Sequence, residues 1–526
     1  MPSTTSLVEL LLFLLIAASL VALVTNRLRV PYTAALVVAG IAIDLFRGQI
    51  GPIVSELGLG SESSFTVLTP EVVFTLFLPG LLFESALHLN VRQVRENLWT
   101  IVALAVAGVV VATLATGFAL SWAAGLPLMS ALVFGALISA TDPISVVALF
   151  RDLGVQRRLT VIVEGESLFN DGTAVVLFSI LLAAAATGTL GLAQGLAQFV
   201  VVTLGGLALG LALGYAGSKL TSRVDEPRIE ITLTTIVAYG AYLAGEHLHV
   251  SGVIATVAAG LVVGNLGVET GMSPRTRVAL FGFWEYFAFV INSLVFLLIG
   301  IAVHVTDLLD AMGSIALAAA AVILGRILTV YSLAPISNRF SSRVPLSWQH
   351  VLVWGGLHGS VSMALALGLP HELPGRNLIL SMTFGVVAFS ILVQGSTMKP
   401  LISWLGLLPE REGGYDRLKA EQIAVSGAMA ELRSLRDRHL ITDGVHDELA
   451  RDIQPRLEEL QHAIVDAQAV APELATEERR IARLHLALAE RSVLLRAVSD
   501  GIVSEQAADE PLRRATARID AEQQRH

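Results

Sequence analysis

The chain has no cysteine, which excludes a disulfide framework, thiol catalysis and cysteine-ligated metal. Charge is scarce as well: 15% of its 526 residues are charged, against roughly 25% in an ordinary soluble protein. The deficit is local. Between Asn97 and Phe150 the only Asp, Glu, Lys or Arg is Asp142, and there is none between Gly172 and Ser218 or between Asn377 and Met398. No Lys or Arg precedes the first apolar run, so the basic opening of a secretory signal is missing, and residues 6–24 are expected to stay as a first span. No Gly-x-x-x-x-Gly-Lys-Ser/Thr loop occurs, which argues against an ATP-driven pump and against any nucleotide requirement. The net charge of −9 is modest and argues neither for nor against a charged partner; no nucleic-acid partner is expected.

The uncharged runs each exceed the ~20 residues that one helix needs to cross a bilayer. They are continuous in Leu, Ala, Val and Gly and do not alternate as barrel strands do. The fold class expected is therefore an all-α membrane protein. Hydropathy gives about thirteen spans, at 6–25, 31–46, 71–89, 98–122, 126–150, 158–186, 192–217, 229–246, 250–265, 281–303, 311–336, 349–369 and 378–404. Connections after odd-numbered spans carry fourteen Lys or Arg, from Arg27 and Arg29 to Arg339 and Arg343, and those after even-numbered spans only Arg47 and Arg376. The positive-inside rule places the N-terminus outside and the C-terminus in the cytoplasm of a multi-pass, inner-membrane protein in contact with lipid. Residues 1–408 form the expected membrane domain. Residues 409–526, rich in Glu, Arg, Ala and Leu, form a cytoplasmic helical domain, a packing or dimerisation appendage with a regulatory role as the alternative.

Ionisable groups inside spans are costly and mark function. Here they are Glu84, Asp142, Glu164, Glu166, Asp171 and Arg326, with His358 as a softer case. At 1.5 Å per residue, Asp171 lies roughly 20 Å in from the cytoplasmic end of its span and Asp142 roughly 22 Å in from the outer end of its own. Glu84 and Arg326 reach a similar depth. Ser167 and Asp171, four apart, share a helix face and offer oxygen ligands to a small cation. Glu166 and Asn170 share the adjoining face. Glu166 needs a counter-charge, and Arg326 is the only basic residue deep enough to supply it. Thr141-Asp142-Pro143 breaks the fifth span and frees carbonyls, including that of Thr141. Gly355, Gly356 and Gly359 interrupt the twelfth around His358. Paired broken helices, the fifth of each half, point to a site built from inverted repeats.

These stretches resemble the sodium/proton exchanger family of the cation:proton antiporter 1 type, bacterial NhaP-like. They are FLPGLLFE at 77–84, ATDP at 140–143 and EGESLFNDG at 164–172, supported by Gly325-Arg326, FVINSLVFLLIG at 289–300 and WGGLHGSVSMALAL at 354–367. The resemblance implies thirteen spans in a dimerisation part and a mobile core, and a homodimer. It implies Asp171 as the main ion and proton carboxylate, with Ser167, Glu84 and the Thr141 carbonyl as further ligands, Asn170 tied to Thr141 and Glu166 paired with Arg326. It implies electroneutral exchange of one cation for one proton, Na⁺ with Li⁺ accepted, without a cofactor and without enzymatic chemistry. One position departs: His358 stands where the family usually has arginine. It either keeps a hydrogen bond to the broken helix or supplies a charge that depends on pH, since histidine titrates near 6.5.

Three other readings compete. A K⁺/H⁺ antiporter uses the same ligand types. A cation channel usually shows a ring of acids or carbonyls, not one buried aspartate with a broken-helix pair. An intramembrane aspartyl protease could use Asp142 and Asp171, but its Gly-x-Gly-Asp run is absent.

Overall fold

The computed structural model describes residues 4–28, 32–46, 73–187, 191–224, 226–268, 272–302, 310–408, 415–470, 472–499 and 502–523. Arg29, Arg47, residues 31, 71–72 and 303 at three predicted span ends, and the predicted domain junction at 409 lie outside the described residues. All regular structure among the described residues is helical. Two compact units divide at Pro409.

In the first unit the helices are α1 (Thr4–Leu28), α2 (Tyr32–Leu45), α3 (Leu78–His88, led in by a wider π-type turn at Val73–Phe77) and α4 (Val91–Glu96). There follow α5 (Leu98–Ala123), α6 (Leu128–Ser139), α7 (Ile144–Leu153), α8 (Arg157–Thr187), α9 (Leu192–Thr221), α10 (Pro227–His247), α11 (Gly252–Gly267) and α12 (Pro274–Ala302). The unit closes with α13 (Met312–Ser337), α14 (Leu346–Trp354), α15 (Ser360–Leu367) and α16 (Arg376–Trp404). Among the described residues seven segments are long and apolar enough to cross a membrane: α5, α6 with α7, α8, α9, α13, α16 and the stretch Thr276–Leu298 of α12. Shorter apolar helices lie at Leu11–Thr25, Tyr32–Leu45 and Gly252–Gly267.

Proline marks where several helices begin. Pro127, Pro143 and Pro345 precede α6, α7 and α14, and Pro227 opens α10, positions where a missing N–H costs nothing. Small residues bring the helices close, as is usual in lipid. A Cβ on Gly40 of α2 would lie 2.7 Å from the Cα of Gly300 on α12, so only glycine allows that approach. Two groups of helices result. In one, α2 packs on α12 and α9 on α11, with α1, α3 and α10 around them; in the other, α5, α6, α13 and α16 pack together. Helix α8 touches both.

Among its described residues the second unit holds four helices, α17 (Tyr415–Asp437), α18 (Asp443–Val470), α19 (Pro472–Ser499) and α20 (Glu505–Gln523), with α17 paired to α18 and α19 to α20.

Candidate ion site

Two helices stop part-way through the first unit and meet at their breaks. Helix α6 ends at Ser139, Ala140 is extended (φ −64°, ψ 127°), and α7 starts after Pro143. Helix α14 ends at Trp354 and α15 resumes at Ser360. The Asp142 N–H donates to the Leu357 carbonyl at 2.7 Å, joining one break to the other. Asp142, one residue before the N-cap Pro143, also accepts from the Ile144 N–H at 3.1 Å, which satisfies the first free N–H of α7. His358 Nδ1 lies 3.1 Å from the Ala140 carbonyl and, since a carbonyl only accepts, donates to it. Ser362 donates to the same oxygen at 3.2 Å. The His358 N–H donates to the Ser390 hydroxyl at 3.1 Å; Ser390 opens a π-type turn inside α16. A Cβ at Gly359 would strike the Asp142 carboxyl, and one at Gly356 would lie 2.6 Å from Arg326 Nε. Glycine at these two positions leaves room for charged side chains.

Helix α8 faces this crossing. Ser167 donates a short hydrogen bond to the Thr141 carbonyl. Asn170 Nδ2 donates to Thr141 Oγ1 at 2.7 Å, and Asn170 Oδ1 accepts from the Thr141 N–H at 3.4 Å, so Asn170 clamps the break on two sides. Glu166, almost wholly buried, is gripped by both terminal nitrogens of Arg326, one of them at 3.0 Å from Oε2. Arg326 also donates to the Leu352 carbonyl at 2.9 Å, at the end of α14. Asp171 is 8% exposed, and its Oδ1 has no hydrogen-bond partner among the described residues. A buried carboxylate oxygen left open in this way is what a cation or a proton would occupy.

A cavity of ≈ 240 Å³ opens beside Asp171. Glu84, Thr141, Asp142, Glu164, Ser167 and Asp171 all line it. Asn170, Arg326 and His358 do not; with Thr141 they line a small space behind. Three groups that contact Glu84 or Glu164 on the cavity wall were not singled out as site residues in the sequence. His88 stands 3.2 Å from Glu84 Oε1, and the i,i+4 spacing was the available signal. Arg151 reaches Glu164 at 2.9 Å, because Gly154, at φ 67°, turns the chain from α7 straight back into α8. Ser85, 3.4 Å from Glu84 Oε2, is the third.

The model of the sodium/hydrogen exchanger transmembrane family matches residues 13–404. The Na⁺/H⁺ antiporter ApNhaP of Aphanothece halophytica is 42% identical over 412 residues, 77% of this chain and 76% of that protein. The Na⁺/H⁺ antiporter NhaH of Halobacillus aidingensis is 38% identical over 409 residues, 76% of this chain and 98% of that protein. Among solved structures, the sodium proton antiporter MjNhaP1 of Methanocaldococcus jannaschii superposes with a TM-score of 0.65 at 20% identity, covering 77% of this chain and 99% of that one.

Proposed function

The chain belongs to the sodium/hydrogen exchanger family, and from that premise we propose that it is a secondary antiporter exchanging one Na⁺ for one H⁺ across the cell membrane. Li⁺, a smaller cation suited to the same hard oxygens, is accepted in place of Na⁺. The observation that carries the reading is the open Oδ1 of Asp171, buried and facing a cavity shared with Ser167, Thr141 and Glu84.

In this reading Asp171 holds either a proton or a dehydrated cation. Ser167, Glu84 and the Thr141 carbonyl complete the cation's shell, since a carbonyl oxygen that accepts one hydrogen bond keeps a second lone pair. Asn170 fixes Thr141. Glu166 is neutralised by Arg326, and Asn170 carries no charge, which favours a one-for-one exchange. A bare buried carboxylate costs several kcal/mol, so the loaded site moves and the empty one does not. Competition for a single site then couples the two flows without ATP or a cofactor.

The site moves, on this proposal, with the group formed by α5, α6, α7, α8, α13, α14, α15 and α16, which carries Asp171, Ser167 and the Thr141 carbonyl, against a scaffold that includes α2, α12 and α3 with Glu84, and that forms a homodimer. Thirteen crossings in two inverted halves would place the breaks at 140–143 and 355–359 in equivalent spans, with the N-terminus outside. Residues 1–408 are the antiporter domain and 409–526 a cytoplasmic appendage. That NhaH of Halobacillus aidingensis is matched over 98% of its length by only 76% of this chain supports exchange without such an appendage.

The test is exchange by purified protein in proteoliposomes carrying an internal pH dye. After a proton gradient is imposed, external Na⁺ or Li⁺ should dissipate it and K⁺ should not. Asp171→Asn should abolish the response. A mutant that still exchanges would move the site elsewhere, and a gradient collapsed by K⁺ alone would reassign the cation.

A further inference from the structure

His88 is the titratable side chain on the cavity wall that touches a proposed ligand, Glu84, and has no part in the mechanism above. We propose that it is the positioning residue of the ion site: it holds one oxygen of the Glu84 carboxylate away from the cation, and thereby weakens cation binding and speeds release. The inference rests on the reading of Glu84 as a ligand.

The geometry is a clamp. His88 Nδ1 lies 2.9 Å from the Glu84 carbonyl and 3.2 Å from Glu84 Oε1. The backbone carbonyl only accepts, so Nδ1 carries the hydrogen and donates it there, which holds the same nitrogen edge against Glu84 Oε1 at ion-pair distance. The ring is itself held from α12. Glu285 Oε1 stands 3.4 Å from Nε2, and the Phe281 ring lies 4.9 Å from the imidazole, one turn away on the same helix. The cavity around His88 also presents Asp142, Glu164, Asp171 and Arg151; Arg151 pairs with Glu164 and so does not compete for Glu84.

One Glu84 oxygen is thus engaged, while Oε2, among the described residues, meets the Ser85 hydroxyl at 3.4 Å. Glu84 then offers a cation one oxygen and not two. For a carrier this is useful, because a cation held by every available oxygen is slow to leave.

Removing the clamp should tighten binding. In proteoliposomes, His88→Ala should lower the KM for Na⁺ by roughly three- to tenfold and lower kcat with it. His88→Asn places an amide N–H where Nδ1 stood and should restore both constants. In a Glu84→Gln background, His88→Ala should change KM no further. An unchanged or raised KM in His88→Ala, beside an altered KM in Glu84→Gln, overturns the proposal alone. His88→Asn behaving like His88→Ala also overturns it. A native KM in Glu84→Gln overturns the ligand reading on which the proposal stands.

Discussion

Glu166 and Arg326 form a buried pair whose two halves cannot be lost separately without cost. Their side chains are 3% and 12% exposed, so Glu166→Gln leaves a guanidinium in the membrane layer with no counter-charge. Breaking such a pair typically costs about 3–5 kcal/mol, whereas replacing both partners by apolar residues of similar size is often close to neutral. Glu166→Gln should therefore melt well below the native protein in detergent, and Glu166→Leu combined with Arg326→Met should recover most of the loss. A single variant with native thermal stability would mean that water already reaches Arg326. Both partners can be named from the sequence, because Arg326 is the only Lys or Arg at the depth of Glu166. Other pairs were not legible. Arg151 counts in the sequence only as one loop charge among fourteen, and its meeting with Glu164 depends on where the left-handed turn at Gly154 aims α7. Glu285 lies 197 residues from His88 and reaches it only because α12 packs on α3.

The two broken helices are legible at the scale of elements for a local reason. Thr141-Asp142-Pro143 cannot continue a helix, and the glycines around His358 weaken one. Hydropathy alone reads straight through both breaks. The sequence does not disclose why glycine is required at 359 and 356. The structure gives the reason: the Asp142 carboxyl and the Arg326 guanidinium occupy the space. Gly359→Ala should push Asp142 off the α7 N-terminus and separate the breaks, costing roughly 1–3 kcal/mol as overpacking does and removing most transport. Gly240→Ala on α10 is the control, since nothing lies within 4 Å of its added methyl group. If the two variants transport and melt alike, the crossing tolerates displacement and the close fit at Gly359 does not matter. The positions of the helices were also legible: among the described residues they begin and end within several residues of the apolar segments read from the sequence, with α12 starting earlier, at Pro274 against an expected 281. That error came from Arg275 and Arg277, whose charges end an apolar window without ending a helix.

For the whole molecule the open question is which side each loop faces, and the absence of cysteine makes it directly measurable. The positive-inside argument rests on fourteen basic residues against two in alternating loops. It puts the connection between α13 and α14, with Arg339 and Arg343, in the cytoplasm, and the connection between α15 and α16, with His371 and Glu372, outside. Arg343 and His371 are both exposed, so a thiol at either is open to reagent. Only α14, the break and α15 lie between them. With a membrane-impermeant maleimide on intact cells, His371→Cys should be labelled and Arg343→Cys should not, until the membrane is permeabilised. The reverse pattern inverts the protein and the direction in which the cavity beside Asp171 is loaded. Equal labelling of both positions from outside means that α14 and α15 together do not cross. In that case the breaks at 140–143 and 355–359 are not equivalent spans of two inverted halves, and the site needs another symmetry. The expected pattern makes the interrupted pair a full crossing despite its short pieces, which only a helix pair sealed at its break by Asp142, His358 and Ser390 could achieve in lipid.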